Sequence, residues 1–396
     1  MLRVVILQHR LLHYRVRLFE LLRARLASLG IELLLVHGQA SETERARRDE
    51  GVLDWAIQVR NRYFSVRGKD FLWQPASAKV RAADLIILLQ ESRILSNYRF
   101  QLFPLFRGPL IAFWGHGRNY QAKARSGFSE LWKALWMRHV DWWFAYTSGS
   151  ACFLKESGFQ KEMITVLDNA IDVSSFSEDI ASILPSEILI ARRQLGIDAR
   201  SEVAIYCGSI YFEKRIDTLL RAADILRESL VDFHLLVVGD GPEAHMIRSA
   251  AASRPWLHVR GIRTGRDKAL DYRLSSVVVN PGAVGLHIVD AFAARVPLIT
   301  QSSAPHGPEY DYLVNRMNGL SVEEDSPESY AAAVVNIFSQ PMLLASMQAH
   351  CAADAQRYTV ERMAQNFADG IVTCFVRHGR LPATGAVTNQ PGFTRS

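Results

Sequence analysis

Short apolar runs alternate with helical patterns along most of the chain. Val4 to Gln8 reads as a buried strand. A basic helix from about Tyr14 to Leu29 follows, with Val16, Phe19, Leu22, Leu26 and Leu29 on one face, and then the strand Ile31 to Val36. Leu85 to Leu89, Leu110 to Trp114, Trp142 to Tyr146 and Ile164 to Leu167 are further strand candidates, with helical patterns between the later ones. This alternation predicts a mostly parallel sheet. The polar stretch Asp172 to Glu187 interrupts it and reads as an irregular linker, after which the pattern restarts at Val203 to Cys207. A helix with Ile216, Leu219, Leu220, Ala223 and Leu226, the strand Phe233 to Val238, a helix after Pro242, the strand Val277 to Val279, the helix Leu286 to Ala294 and the strand Val296 to Thr300 make a second doubly wound domain. A last helix from about Val360 to Val376 closes the fold, and the Pro-, Gly- and Thr-rich tail from Leu381 is expected to be disordered. The architecture implied is α/β, with two doubly wound domains at 1–180 and 190–358 facing a cleft, a helix at 359–378 and a tail at 379–396.

Composition agrees with a globular chain of two cores: 396 residues, 49% hydrophobic and 22% charged. The apolar runs are far shorter than the ~20 residues of a membrane span, and Val4 to Leu7 is too short for a signal peptide's apolar region, so the expectation is cytoplasmic. Cys152, Cys207, Cys351 and Cys374 have no C-x-x-C pairing and suggest buried small hydrophobes rather than a disulfide or zinc framework. Residues 1–180 hold 25 Lys and Arg against 18 Asp and Glu, a net +7, whereas residues 181–396 hold 21 against 22, a net −1. A basic first half suits an anionic partner, a phospholipid surface or a polyphosphate. Nucleic acid is disfavoured because no recognition module is present.

Ligands of open parallel sheets bind beyond the carboxyl ends of the strands, which directs attention to the loops after Cys207, Val238 and Asn280. Gly208-Ser209-Ile210-Tyr211-Phe212-Glu213-Lys214-Arg215 puts two cations near a helix start, where they can meet a phosphate; the same spacing fits a solvated Lys-Arg pair. Gly239-Asp240-Gly241-Pro242-Glu243-Ala244 matches a permissive dinucleotide fingerprint, but the next strand, His258 to Gly261, ends without the acid that fingerprint needs, and a plain tight turn explains it equally. Pro281-Gly282-Ala283-Val284-Gly285-Leu286 lets backbone approach a ligand and aims helix N–H groups at it, while Asp290, one turn inside, could accept hydrogen bonds from a diol or merely stabilise the helix dipole. In the first domain His116, between two glycines at a strand end, is a cleft candidate, with Arg118 and Asn119 following it. Arg10, His13, Tyr14, Arg15 and Arg17 cluster at the exit of the first strand, where an acceptor could dock. Trp132, Trp136, Trp142 and Trp143 stand among basic residues, a mixture that fits core packing better than a membrane-lying helix. No H-E-x-x-H or G-x-S-x-G occurs.

In their order along the chain these loops resemble a GT-B fold retaining glycosyltransferase of the family 4 type, the glycosyl transferases group 1, over nearly everything up to about residue 378. Gly208 to Lys214, with Leu219 and Ala222, is similar to the family's G-R-L-x-x-x-K-G element, and Gly239 to Pro242 to its G-D-G-P turn. Val284 to Ala293 with Val296 to Ile299 resembles its F-G-L-x-x-x-E-A-M-A-x-G-x-P-V-I signature. Pro308-Glu309, Asn318-Gly319-Leu320, Thr147-Ser148 and Asn169 to Asp172 resemble its shorter P-E, N-G-L, T-x-S and N-G-I-D elements. The chain departs from the pattern at Gly282 and Asp290, where the family carries glutamates, and at Ser209, where it carries arginine.

The resemblance implies two Rossmann-like domains, the first binding acceptor and the second binding a nucleotide-diphosphate sugar, uridine or guanosine diphosphate being expected, with the last helix crossing back to the first domain. It implies a donor site of Gly208, Ser209, Lys214, Gly239, Gly282, Gly285, Leu286 and Asp290. In it Asp290 serves the ribose, and Lys214 carries the diphosphate charge with the N–H groups of Gly285 and Leu286. Position 282 would face the donor sugar without a side chain to do so. His116 and Lys214 are the implied catalytic residues, and His13, Arg15, Arg118 and Asn119 are expected at the acceptor. That acceptor would be a saccharide or lipid-linked saccharide in cell-surface polysaccharide assembly, with peripheral contact to an anionic membrane at its inner face. No D-x-D occurs, so no metal and no cofactor are expected. A degenerate, partner-binding relative and a nucleotide-sugar epimerase on the same fold are the alternatives; a dehydrogenase would bind NAD at Gly239.

Overall fold

The computed structural model describes residues 1–45, 49–66, 69–75, 80, 82–101, 108–117 and 139–382. Its first sheet is built from β1 (Leu2–Gln8), β2 (Ile31–His37), β3 (Ile57–Gln58), β6 (Leu85–Leu89), β7 (Leu110–Gly115), β8 (Trp142–Ala145) and β9 (Ile164–Val166), all parallel in the order β3-β2-β1-β6-β7-β8-β9. An antiparallel hairpin, β4 (Arg62–Val66) and β5 (Lys69–Trp73), stands apart from it. The second sheet comprises β10 (Val203–Cys207), β11 (His234–Val238), β12 (Leu257–Gly261), β13 (Val277–Val279), β14 (Leu298–Gln301) and β15 (Gly319–Val322), parallel in the order β12-β11-β10-β13-β14-β15.

The continuous apolar runs of the central strands have a direct cause: both faces are covered. Val4 and Ile6 of β1 pack with the helix Val16–Ser28 in one core, while Val5 and Leu7 pack in the core on the opposite face. In β10, Val203 and Ile205 face one core and Ala204 and Tyr206 the other. The reversal of strand order falls between β1 and β6 in the first sheet and between β10 and β13 in the second, where loops leaving in opposite directions open a crevice.

Asp172 to Glu187 is not an irregular linker. Helices Ser174–Ser182 and Pro185–Gln194 occupy it, and Phe176, Ile183 and Ala191 are buried in the core of the second domain. Residues 174–182 therefore pack with that domain, against helices Gly265–Leu274 and His287–Ala294. The chain returns at its end. Helix Val360–Arg377, capped by Thr359, buries Met363, Phe367, Ile371 and Phe375 in the first domain's core, with the Phe367 ring 5.2 Å from Trp114 and 4.5 Å from Phe144. Leu29, expected on the buried face of the first helix, is instead an exposed residue just past the helix end.

Trp142 and Trp143 are core residues, in line with their pattern, whereas Trp132, Trp136 and the tail beyond residue 382 lie outside the described residues. The four cysteines are free; Cys351 and Cys374 are buried, Cys207 is half-buried and Cys152, against expectation, is exposed. Among the described residues no single helix is long and apolar enough to cross a membrane.

Candidate active site

A cavity of about 320 Å³ opens between the two domains, lined by His116 from the first and by Tyr211, Lys214, Ala283, Gly285, His306 and neighbouring backbone from the second. Every lining segment leaves the carboxyl end of a strand: His116 follows β7, Tyr211 to Lys214 follow β10, residues 283–285 follow β13 and residues 305–308 follow β14.

Lys214 closes a 3-10 turn, Phe212–Lys214, whose loop is pinned by the buried Ile210 and by hydrogen bonds between the backbones of residues 208–210 and 238–240. Its side chain is only 6% exposed, and Nζ donates to the carbonyl of Ala283. Burial is the main reason its pKa falls to about 8. The ammonium is thus held, poorly solvated, against the cavity wall, where an incoming anion would replace lost water. Arg215, its expected companion, turns away, donating to Asp325, Gln301 and Ser303. Only one of the two cations faces the cavity.

The departure at Gly282 has a steric origin. A Cβ there would lie 2.3 Å from the backbone carbonyl carbon of Lys214 and 2.4 Å from the carbonyl oxygen of Glu213. Ala283 N–H donates to that same Glu213 oxygen at 2.8 Å, and Thr300 Oγ1 donates to the Gly282 carbonyl at 3.1 Å. The 282 loop is packed on the Lys214 loop so closely that no side chain fits. Gly208 and Gly239 meet in the same way: a Cβ on Gly239 would sit 1.9 Å from the Gly208 carbonyl oxygen, and both residues have positive φ, +151° and +137°. The Gly239-Asp240-Gly241-Pro242 segment is braced on the neighbouring loop and leads into a turn closed by Ala244 N–H on the Gly241 carbonyl at 3.0 Å, and neither Gly208 nor Gly239 is among the residues lining the cavity.

Leu286 begins the helix His287–Ala294, and among the described residues no backbone carbonyl takes the N–H of Gly285 or Leu286. Gly285 lines the same cavity as Lys214, whereas Leu286 is not among the lining residues. Asp290, nine-tenths buried, lies outside the cavity and forms an ion pair with Lys268, Nζ to Oδ2 2.8 Å. Lys268 also lies 4.6 Å from the centroid of the Phe176 ring. Ser209 is exposed, its carbonyl accepting from the Tyr206 hydroxyl at 2.8 Å.

On the opposite wall the His116 ring stands edge-on to Tyr146, with centroids 6.1 Å apart. Its loop is fixed by Gln90, whose side chain accepts from Gly117 N–H at 2.9 Å and donates to the Gly117 carbonyl. Arg118 and Asn119 lie outside the described residues. His13 is exposed and bonds the Asp49 carbonyl. Arg15 departs from its expected place at an open acceptor surface: it is 6% exposed, its guanidinium 5.1 to 5.8 Å from the Tyr14, Trp114 and Tyr146 rings, with Nη1 directed at the Ala170 carbonyl and the Met363 sulfur. Of the 25 basic residues in 1–180, eleven fall outside the described residues, against one of the 18 acidic ones, Glu130. The described part of that half thus carries 14 basic and 17 acidic residues, and its positive excess lies elsewhere.

His306, Asp311 and Tyr312, which the sequence pattern did not single out, join the short elements at Thr147, Asn169 and Glu309 around the site. His306 Nδ1 accepts from Val284 N–H at 3.1 Å and Nε2 donates to the Gln301 carbonyl at 2.8 Å, an arrangement of the neutral imidazole; burial first of all lowers its pKa to about 4. The 3-10 turn Pro308–Tyr312 then crosses to the first domain. Asn169 Nδ2 donates to Glu309 Oε1, Thr147 Oγ1 to Asp311 Oδ2, and the Tyr312 hydroxyl to the Asn169 carbonyl at 3.0 Å. Glu309 is 5% exposed, and burial raises its pKa against the opposing Asn169 hydrogen bond.

Two parallel sheets facing a cleft, with the last helix returning to the first domain, define a GT-B fold. The solved structures agree along almost the whole chain. A glycosyltransferase from Rickettsia africae superposes with a TM-score of 0.65 at 13% identity, covering 94% of this chain and 98% of that one. Anabaena HepE, solved in complex with UDP, gives 0.66 at 14% identity over 94% and 100%. Sucrose-phosphate synthase from Thermosynechococcus elongatus gives 0.66 at 15% over 95% and 100%. Residues 201–340, in the second domain of this GT-B chain, match the family model described as glycosyl transferases group 1. D-inositol 3-phosphate glycosyltransferases from Rhodococcus jostii and Rhodococcus opacus are each 29% identical, over 241 and 221 residues, which are 57% and 52% of this chain and 52% and 48% of the relatives. The chain spans about half the length of the curated relatives it matches.

Proposed function

We propose that the protein is a retaining glycosyltransferase that moves a sugar from a nucleoside diphosphate, uridine or guanosine, to a hydroxyl of a saccharide or lipid-linked saccharide in cell-surface polysaccharide assembly. The observation that carries this reading is the buried Lys214 ammonium, which shares one cavity with Gly285, just ahead of the helix His287–Ala294, and is faced by His116 of the other domain. Glycosyl transfer places growing negative charge on the departing diphosphate. A fixed cation and a helix N-terminus in a poorly hydrated cleft stabilise that charge without reorganisation. The diphosphate itself can take the acceptor's proton, so no strong protein base is required. Asp290, held by Lys268, is the proposed partner of the ribose hydroxyls.

Support also comes from HepE, whose structures hold UDP and UDP-glucose. Among the described residues no three His, Cys, Asp or Glu side chains gather as a metal site, and in this proposal Lys214 bears the diphosphate charge without a metal or cofactor. We place the protein in the cytoplasm, with peripheral contact to the inner face of an anionic membrane; sedimentation with anionic liposomes at low salt is expected, and its absence removes the membrane part. The lack of an acid at 282 favours a second reading, a binding protein without turnover. Proton NMR of the purified chain with UDP-glucose, UDP-N-acetylglucosamine and GDP-mannose decides between them. The first reading requires release of a nucleoside diphosphate with the α-anomer of the sugar product, and diphosphate binding with no release establishes the second.

A further inference from the structure

We propose that Glu309 supplies the carboxylate that faces the donor sugar, in place of the side chain position 282 cannot carry. The inference rests on the donor-site reading above. It begins from the collision already described: any Cβ at 282 would strike the backbone of Lys214 and Glu213. An acid needed at the sugar must therefore come from another loop.

Glu309 follows directly on the cavity-lining residues Pro305 to Pro308. Its two oxygens face different ways. Oε1 accepts from Asn169 Nδ2 of the first domain, and the carboxylate also accepts from the backbone N–H of Glu309 itself. Oε2 lies 3.1 Å from where a Cβ on Gly307 would stand and 4.0 Å from where one on Gly285 would stand. Both glycines line the cavity, and a side chain on either would cover this oxygen. Their absence of side chains leaves only backbone between the carboxylate and the space a sugar would fill. The turn that carries Glu309 is also fixed on the first domain through Asp311 to Thr147 and Tyr312 to the Asn169 carbonyl, so the oxygen is held in place before any ligand arrives. The buried Arg15 and Asp311 are the charged groups that act on it from the surrounding elements.

The chemistry follows from the position. The bond from the anomeric carbon to the diphosphate oxygen breaks and its electron pair leaves with the diphosphate. The acceptor oxygen bonds the same carbon on the same face, and its proton passes to the diphosphate. While both bonds are long the ring carbon and ring oxygen carry positive charge, which a carboxylate in a low-dielectric wall stabilises, as Lys214 stabilises the opposite charge on the leaving group.

Glu309→Gln tests this, because the amide keeps an oxygen for Asn169 while it replaces the other carboxylate oxygen by an NH2 donor and removes the charge. With UDP-glucose, UDP-N-acetylglucosamine and GDP-mannose as probes, E309Q is expected to lower the kcat of diphosphate release about 100-fold or more, while its Kd for UDP or GDP stays within about threefold of wild type. Glu309→Asp, which retains the charge on a shorter arm, should recover part of the loss. Far-UV circular dichroism and the unfolding midpoint check that both variants are folded. If E309Q turns over like the wild type, or if its loss appears equally in diphosphate Kd, Glu309 is a domain clamp only and the proposal fails while the transferase reading stands. If the wild type binds none of the three donors, both fall together.

Discussion

Replacing Lys214 by methionine separates what the ammonium does for the ligand from what it costs the fold. The side chain is 6% exposed and its pKa lies near 8 against an ordinary lysine value of 10.5. Between those values the unfolded chain binds more protons than the native one, so stability must rise with pH across that window. The burial cost is fully present below about pH 8 and is relieved as the pH climbs towards 10.5. A tenfold change in proton affinity corresponds to about 1.4 kcal/mol, and integration from pH 7 to pH 10 gives a gain of about 2–3 kcal/mol for the wild type relative to K214M. Losing the hydrogen bond to Ala283 does not orphan that carbonyl, since Asn280 Nδ2 also donates to it at 3.1 Å. Urea unfolding of both proteins at pH 7, 8, 9 and 10, followed by circular dichroism, gives the difference directly. The two stability curves should converge or cross as pH rises. Parallel curves would refute the reasoning, because Lys214 would then be a solvated lysine and no poised cation.

Two further substitutions probe the loops around it. Gly282→Glu should abolish diphosphate binding and destabilise the second domain by more than about 2 kcal/mol, since its Cβ has no room; calorimetry and urea unfolding measure both, and a gain of activity would overturn the steric account. Asp290→Asn leaves the Lys268 ammonium beside a neutral amide; nucleoside diphosphate affinity should fall about tenfold while affinity for inorganic pyrophosphate stays unchanged, and equal losses for both ligands would remove Asp290 from the nucleoside side of the site.

The parallel sheets are legible in the sequence because each central strand is buried on both faces and flanked by helical spacing, as β1 and β10 illustrate. The hairpin Arg62–Val66 with Lys69–Trp73 is not, because it lies outside the layered sheets and its short apolar stretches, Tyr63-Phe64 and Phe71 to Trp73, stand among charged residues with no helical spacing beside them. The segment 172–187 reads as irregular for a related reason: Phe176, Ile180 and Ile183 keep a helical spacing, but the serines and acids between them dilute it. In the site, strand ends followed by glycine suffice to find Lys214, Gly285 and His116. Partnering is beyond the sequence. Nothing in residues 265–274 signals that Lys268 will neutralise Asp290, and Arg15 reads as a surface arginine until three rings from distant segments close around it. Glu309 stands within a recognisable Pro-Glu pair, but its nearness to the cavity-lining Gly285 and Gly307, which have no side chains to cover it, is a relation between loops 22 positions apart that only the fold creates.

The most direct measurement is a calorimetric titration of the purified chain with UDP, GDP and ADP in the presence of a chelator, repeated on Lys214→Ala. The account predicts that one diphosphate binds the wild type without added metal and that K214A loses at least about tenfold in affinity for it, the share expected of a charge-assisted contact in a buried site. Binding that survives Lys214→Ala unchanged, or that occurs with none of the three, would contradict it.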